Sequence, residues 1–386
     1  MKVNEMKKTD YEITLELTMS YDELNDHFVY CEDCGKLMFR DDAISLDGEY
    51  YCNDCITECD VCGRLIRCET SYRTDDSDYD LCRHCYENHT CICDDCGEHF
   101  RYEDSLYEVE DRYYCHKCYP DHEPLIREYH NMKNYQDVIF HGEESRDEAV
   151  YMGYELEIDS SSWFDREEVA KELESRFGSF WNYENDGSLC NGFEIISHPA
   201  SLSYHLKKMP ECASAFQYLK NKGIRSHDAG SCGFHVHLDR KYFGEKEDSS
   251  IAKLLYIFEK FYDELKIFSR RTNSQINDWA RSRKEHYNGE PGWIKKSMKH
   301  SYSCRYFAVN LVNTNTTEIR LWRGSINAET FEATLRFTAR LAQLCKHTSA
   351  VELAKMSFDE ILGDDPTIRL YWSRISQRNT NESEEN

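Results

Sequence analysis

Two kinds of residue spacing in this chain could do chemistry. The first is a set of carboxylates, imidazoles and a guanidinium placed two apart in short alternating stretches. Glu155 and Glu157 lie in YMGYELEID, Glu194 in GFEIISHP, His235 and His237 in GFHVHLD, Asn310 in YFAVNLVN, and Glu318 and Arg320 in TEIRLWRG. The second is a series of Cys-x-x-Cys pairs between Cys31 and Cys118. Taken singly, each stretch of the first set has a bland reading. Exposed Glu-x-Glu is a strand edge facing water, Glu-x-Arg is a surface ion pair that contributes little, and His-x-His is a metal site, a phosphate clamp or two ordinary polar residues.

Taken together they say more, because side chains repeat every two residues along an extended chain. Each stretch, read as a strand, puts its charged groups on one face and Tyr, Phe, Ile, Val or Leu on the other. The hairpin Tyr306–Gly324 does the same, with Asn310 beside Ala308 and Val312, and Glu318 sharing a face with Arg320 and Trp322. A sheet with helices on its apolar side gathers Glu155, Glu157, Glu194, His235, His237, Asn310, Glu318 and Arg320 on one open face. Several carboxylates so close repel one another unless cations intervene. Oxygen-rich ligation with a histidine or two suits Mg²⁺ or Mn²⁺, and Arg320 supplies a fork for phosphate oxygens. Arg323 is three residues from Arg320, so strict alternation puts it on the opposite face unless the strand bulges.

The elements that would position these groups follow from the same periodicities. Helices are expected at Asp165–Phe177 with Asp165 as cap, at Leu202–Lys222 broken or kinked near Pro210, at Ile251–Arg271, from Asn327 to Lys346, and near Phe358–Leu362. A turn falls at Asp186-Gly187. Residues 270–300 read as basic and poor in helix, suited to an anionic substrate or to pairing with neighbouring acids. Leu125–Asn134 reads as a short helix, and Tyr11–Leu17 as a strand or part of an unstructured arm.

Fourteen of the 19 cysteines lie between Cys31 and Cys118, in three copies of one pattern. Cys31 and Cys34 precede Cys52 and Cys55; Cys59 and Cys62 precede Cys82 and Cys85; Cys93 and Cys96 precede Cys115 and Cys118. Gly35, Gly63 and Gly97 follow the first pairs and suit a tight knuckle. Four thiolates at this spacing fit a closed, tetrahedral, structural Zn²⁺ site, about three ions in all. Cys68 and Cys91 are left over, and His84, His89, His99 and His116 lie near enough to exchange with a cysteine ligand. No run of about 18 apolar residues occurs, and no signal peptide opens the chain, so an intracellular, cytoplasmic protein with reduced thiols is expected, with no membrane contact. The net charge is −25 over 386 residues. That acidity argues against nonspecific nucleic-acid binding.

The cysteine array resembles LIM-type double zinc fingers in spacing over roughly 90 residues, departing from them at Cys52, where a histidine is usual. That resemblance implies a protein partner. GYELEI, DGSLCNGFEIISHP, GFHVHLD and YFAVNLVNTNTTEIRLWRGSINAETF, in that order, resemble the amidoligases of the glutamine synthetase and glutamate–cysteine ligase fold over Tyr151–Lys346. The resemblance implies an α+β domain with a mostly antiparallel sheet, one polar catalytic face and helices on the other, preceded by zinc-ribbon or LIM-like hairpin modules. It implies a carbon–nitrogen ligase that uses ATP and Mg²⁺ to phosphorylate a carboxylate before an amine attacks the acyl phosphate. Carried across position by position, Glu155, Glu157 and Glu194 are metal carboxylates and His235 approaches both a metal and the nucleotide phosphates, with His237 beside it. Asn310, Glu318 and Arg320 complete the polar site, Arg320 steadies the transferring phosphoryl group with Arg323 as a second candidate, and Asp186 acts near the amine.

The expected organisation is an arm at 1–27, cysteine modules at 28–120, a linker at 121–146, the ligase-like domain at 147–375 and a polar, unstructured tail at 376–386. No GxxxxGK[ST] loop is present, so a nucleotide must be held by the sheet and its metals. Two other readings are a zinc-finger adaptor with an inactive ligase domain and a metal-dependent hydrolase built on His235 and His237.

Overall fold

A computed structural model describes residues 26–74, 79–101, 106–109, 111–128, 138–226, 232–300 and 304–384. The run Tyr11–Leu17 lies outside the described residues. The chain divides into two units, 1–124 and 125–386, each described by itself.

The first unit is a series of two-stranded antiparallel hairpins. In the first module Ile44–Leu46 pairs with Glu49–Tyr51, and Asp47 and Gly48 at the turn both have positive φ, 51° and 93°. That conformation is the two-residue turn whose twist matches the strands, and it explains the Asp-Gly pair. Gly35, Gly63 and Gly97 also have positive φ, as the knuckles require. Successive modules touch. Arg67 of the second reaches the buried Asp33 of the first, and the ring of Tyr86 stacks on His99 of the third at 4.7 Å.

The second unit is built on one eight-stranded sheet. Its strands are β1 (Ile126–Arg127), β2 (Tyr151–Ile158), β3 (Trp181–Glu184), β4 (Phe193–Ser197), β5 (Ala200–Ser201), β6 (Phe234–Asp239), β7 (Val309–Asn310) and β8 (Thr316–Ile319). The order is β1-β3-β4-β2-β6-β8-β7, with β5 also on β2. Every pairing is antiparallel except β1 with β3. Ile126–Arg127 is thus strand, where a helix was expected.

The alternating residues bury their apolar partners as the pattern requires: Tyr154, Leu156, Phe193, Ile195, Phe234, Val236 and Ile319 are all at most 1% exposed. Helices α1 (Arg166–Phe177), α2 (Leu202–Asn221), α3 (Glu247–Lys260) and, later in the chain, Ala328–His347 contribute to the same core. Phe331, on that last long helix, packs against Tyr154, Phe216 and Phe234 with centroids 4.7 to 5.2 Å apart.

Several elements differ from expectation. Helix α2 runs through Pro210 without a break; burying Met209, Cys212, Ala215, Phe216 and Leu219 outweighs one lost backbone bond. The expected Ile251–Arg271 helix is two, α3 and α4 (Tyr262–Ser269), because Phe261 leaves the helical region at φ −113°, ψ 32°. Residues 270–300 hold three short helices, α5 (Asn273–Trp279), α6 (Arg283–His286) and α7 (Trp293–Lys299), the first two capped by the side chains of Thr272 and Ser282. Helix α8 (Ala328–His347) starts at Asn327, whose side chain accepts from Thr330 N. After α9 (Ala350–Lys355) and α10 (Phe358–Leu362), helix α11 (Pro366–Glu384) extends through most of the segment expected to be a tail. Ile368, Tyr371 and Ile375 tie that helix into the core.

Candidate functional site

The register of the sheet sets the site. Glu157 is paired with Glu194 across β2 and β4, Glu155 with His235 across β2 and β6, His237 with Glu318 across β6 and β8, and Asn310 with Glu318 across β7 and β8. His235 Nδ1 is 3.1 Å from Glu155 Oε2 and 3.7 Å from Glu318 Oε1, and its Nε2 is 3.6 Å from Glu157 Oε1. His237 Nε2 meets Glu155 Oε1 at 3.0 Å, and its Nδ1 meets Thr316 Oγ1 at 3.2 Å. Asn310 Nδ2 donates to Glu318 Oε2 at 2.6 Å, and Arg320 pairs with the other oxygen of Glu318. Glu157 Oε2 accepts from Gly233 N at 2.6 Å.

All the candidates on the polar face therefore meet, except that Trp322 and Arg323 leave it. Between the Val236–Ile319 pair and the Gly233–Arg323 bridge, three steps on one strand face four on the other. The extra residue is a bulge, and Leu321 and Trp322 both turn into the core, where Trp322 packs against Phe258, Phe268 and Phe337. Arg323 lines a cavity with Arg270, Thr330, Thr334 and Tyr371, and its Nη1 donates to Arg270 O at 3.4 Å. Two other polar residues of the alternating runs have local partners. Asp159 accepts from Cys190 N and Asn191 N and so ties down the loop before β4, and Asp239 holds Arg146 in a two-pronged pair at 2.6 and 3.0 Å.

Two site residues went unread in the sequence. Glu184 of β3 stands opposite Glu194 and is 3% exposed; the alternation in WNYE was the available signal. Arg271 lies beside Gly233 and His235, since a Cβ built on Gly233 would fall 2.2 Å from its Nη2 and 2.6 Å from His235 Nε2. No periodicity marks it, because it comes from the turn after a helix.

The donor set fits divalent cations. One ligand atom each from Glu155, Glu194 and His235 lie within 4.8 Å of one another, as do those of Glu155, His237 and Glu318, so Glu155 belongs to both groups. Burial, with Glu155, Glu157 and Asp186 adding repulsion, pushes the Glu194 carboxyl up to about 11. Burial also disfavours ionised Glu155, but His237 and His235 outweigh it and hold that carboxyl well below its usual range. His237, opposed by burial, is carried up to about 9 by Glu155. The cluster as it stands is short of positive charge, and protons make up the deficit.

A family model described as "Putative amidoligase enzyme" matches residues 107–342. The chain belongs to the amidoligase family. The matched span holds every residue of the cluster, from Glu155 through Arg320, and begins inside the third cysteine module. No curated protein matches the chain of this amidoligase. Among solved structures, one titled "Apo GmaS without ligand" is 11% identical over 62% of this chain and 70% of that one, with a TM-score of 0.35. At that identity and score the likeness says nothing of what the amidoligase acts on.

The amidoligase carries a second set of donors in its first unit. Cys31, Cys34, Cys52 and Cys55 bring their sulfurs within 4.8 Å of one another, as do Cys59, Cys62, Cys82 and Cys85, and Cys93, Cys96, Cys115 and Cys118. Burial raises the Cys31 thiol, but backbone N–H groups of Cys34, Cys52 and Asp33 prevail and bring it down to about 6. Cys59 and Cys93 are lowered to about 6 in the same way. The last thiol of each set is instead raised, Cys55 by Cys52 and burial, Cys85 and Cys118 by burial and the neighbouring cysteines, a conflict that a bound cation such as Zn²⁺ would relieve. These three sets consist of cysteine alone; His99 instead stacks on Tyr86, and the exposed Cys68 donates to Asp54 O.

Proposed function

We propose that this amidoligase is an ATP- and Mg²⁺-dependent carboxylate–amine ligase, Mn²⁺ serving in place of Mg²⁺. The observation that carries the reading is the pair of overlapping donor groups, {Glu155, Glu194, His235} and {Glu155, His237, Glu318}, on one face of one sheet. Bound there, divalent cations would neutralise nucleotide phosphates and the charge that develops in phosphoryl transfer.

The chain's own part is positioning. Glu155, Glu157, Glu194 and His235 would hold one metal, and Glu155, His237 and Glu318 a second. Asn310 and Arg320 fix Glu318, and Arg320 adds its charge to the same anion-binding surface. The substrate carboxylate attacks the terminal phosphorus, ADP leaves, and the amine then displaces phosphate from the acyl phosphate to form the amide. Asp186 is the candidate to take the amine's proton: burial opposes its ionisation, but hydrogen bonds from Ser188 prevail and lower its pKa, so it is ionised, though a weak base.

The cysteine modules, each holding Zn²⁺, recruit a protein partner or protein substrate. Exposed Tyr30, Phe39, Tyr72, Tyr79, Ile92 and Tyr107 support that reading. None of the 19 cysteines is in a disulfide, and clustered thiols kept for metal suit a reducing, cytoplasmic compartment.

The test is phosphate release by the purified chain with ATP, Mg²⁺ and a panel of amino acids and peptides, followed by mass spectrometry of an extract for a condensation product. Release no greater than that of Glu155→Gln sinks the ligase reading. Turnover without nucleotide would point to a hydrolase instead.

A further inference from the structure

Helix α4 ends at Arg270, which adopts the left-handed conformation at φ 59° and turns the chain sharply. The turn delivers Arg271 to the end of β6, where Nε donates to Trp322 O at 3.2 Å and the backbone N–H donates to Ser269 Oγ at 3.2 Å. The residue is 7% exposed, yet Nη1 has no hydrogen-bond partner. The guanidinium and the His235 ring both crowd the space above Gly233. A side chain there would strike both groups, so this position needs a glycine.

Two other buried arginines near the sheet also keep an unpartnered nitrogen, Arg320 Nε and Arg283 Nη2. Their charge is nevertheless engaged: Arg320 is paired with Glu318, and Arg283 donates to Val309 O at 2.9 Å and lies over the ring of Phe307. Among the described residues Arg271 has neither a carboxylate pair nor a ring over its charge: Glu157 exerts the strongest attraction on it but forms no ion pair with it. Burial lowers its pKa to about 10, against the opposing pull of Glu157. A buried cationic donor left open is unfavourable for the fold alone, and at the edge of a metal-ligating face an anionic ligand would satisfy it.

We infer that Arg271 binds the terminal phosphoryl group of the nucleotide. This rests on the ATP-dependent reading above and deepens it by replacing Arg320 with Arg271 as the principal phosphate fork. The group that reaches this depth must satisfy a guanidinium and two adjoining metal groups at once. A terminal phosphoryl has three non-bridging oxygens for that purpose, whereas a carboxylate has two.

The experiment is calorimetric titration of the full chain with MgATP and MgADP, comparing wild type, Arg271→Gln and Arg271→Lys. Thermal unfolding and Mn²⁺ titration check the fold and the carboxylate cluster. Loss of one charge-assisted contact predicts about a tenfold to hundredfold weaker MgATP complex for Arg271→Gln, with MgADP affinity changed by no more than about twofold and Mn²⁺ binding retained. Arg271→Lys recovers part of the MgATP affinity, because it keeps the charge and loses the fork. Should Arg271→Gln fail to fold, Arg271→Lys must show the same selective loss in smaller measure. Wild-type affinity for MgATP in a folded variant overturns the inference, and so does equal weakening of both nucleotides. A wild-type chain that binds neither nucleotide overturns the ATP reading itself.

Discussion

At the scale of single residues, the site is a set of conflicts held in place by geometry. Glu194 carries the strongest, with Glu157 and Glu184 directly opposite and burial around it. Its carboxyl keeps its proton in the absence of metal, so Glu194→Gln reproduces the resident state. The expected change in stability of the metal-free protein is below about 1 kcal/mol by urea unfolding, while Mn²⁺ affinity falls at least about tenfold. A variant losing several kcal/mol would mean that Glu194 is ionised and paired. Arg320 predicts the opposite behaviour. Removing it by Arg320→Met leaves Glu318, 3% exposed, with the Asn310 hydrogen bond and the more distant His235 ring at 3.7 Å, a loss of about 3–5 kcal/mol. Adding Glu318→Gln should restore most of it, and a double-mutant cycle measures the coupling. Site and fold thus make different demands on residues of one polar face.

At the scale of elements, strands had to be aligned before these residues could meet, and two short devices do it. The loop before β4 is clamped by Asp159, and Gly192 lies so close beneath β2 that a Cβ would sit 1.8 Å from Ile158 O. Backbone cannot yield as a side-chain tip can, so Gly192→Ala should displace the loop carrying Asp186 and lower both Tm and activity; unchanged values of both would show that the clamp is dispensable. On the apolar face, Phe331→Ala should cost about 3–5 kcal/mol, since it empties the contact among three rings. The same elements show what a sequence can and cannot disclose. Two-residue alternation made the polar face of Glu155, Glu194, His235 and Glu318 readable, because parity is local. The cap at Asp165 and the helix starting at Asn327 were readable for the same reason. The break at Phe261, the unbroken passage through Pro210 and the bulge before Arg323 were not, because each is decided by packing between distant segments. Arg271 is the clearest case: the turn at Arg270 places it, and His235 and Trp322 give it meaning only after folding.

At the scale of the whole molecule, the two units draw their stability from different sources. The second has one extensive core that includes sheet and helices. In the first, the hydrophobic clusters are small and cysteines are a large part of each: Cys93, Phe100 and Cys115 with Cys118 in the third module, Cys59, Cys82 and Cys85 with Ile66 and Leu81 in the second, and Cys31 and Cys52 with Tyr51 and Ile56 in the first. Clusters this small offset little of the entropy of ordering a chain, and the four-sulfur sets are compatible with structural Zn²⁺, whose binding at such sites typically supplies about 10–16 kcal/mol. Each thiolate set that loses its ion would also be left as mutually repelling sulfurs. A zinc-selective chelator should therefore abolish amide protection across the hairpins of 28–120 while the strands of 151–319 stay protected, as hydrogen exchange with mass spectrometry would show. Cys93→Ser refines the test, because the stack of Tyr86 on His99 and the Arg67–Asp33 pair join the modules in series. Protection should vanish in the third module, weaken in the second and persist in the first. Uniform protection after chelation would mean that the hairpins stand without metal, and the thiolate knuckles would then need another explanation.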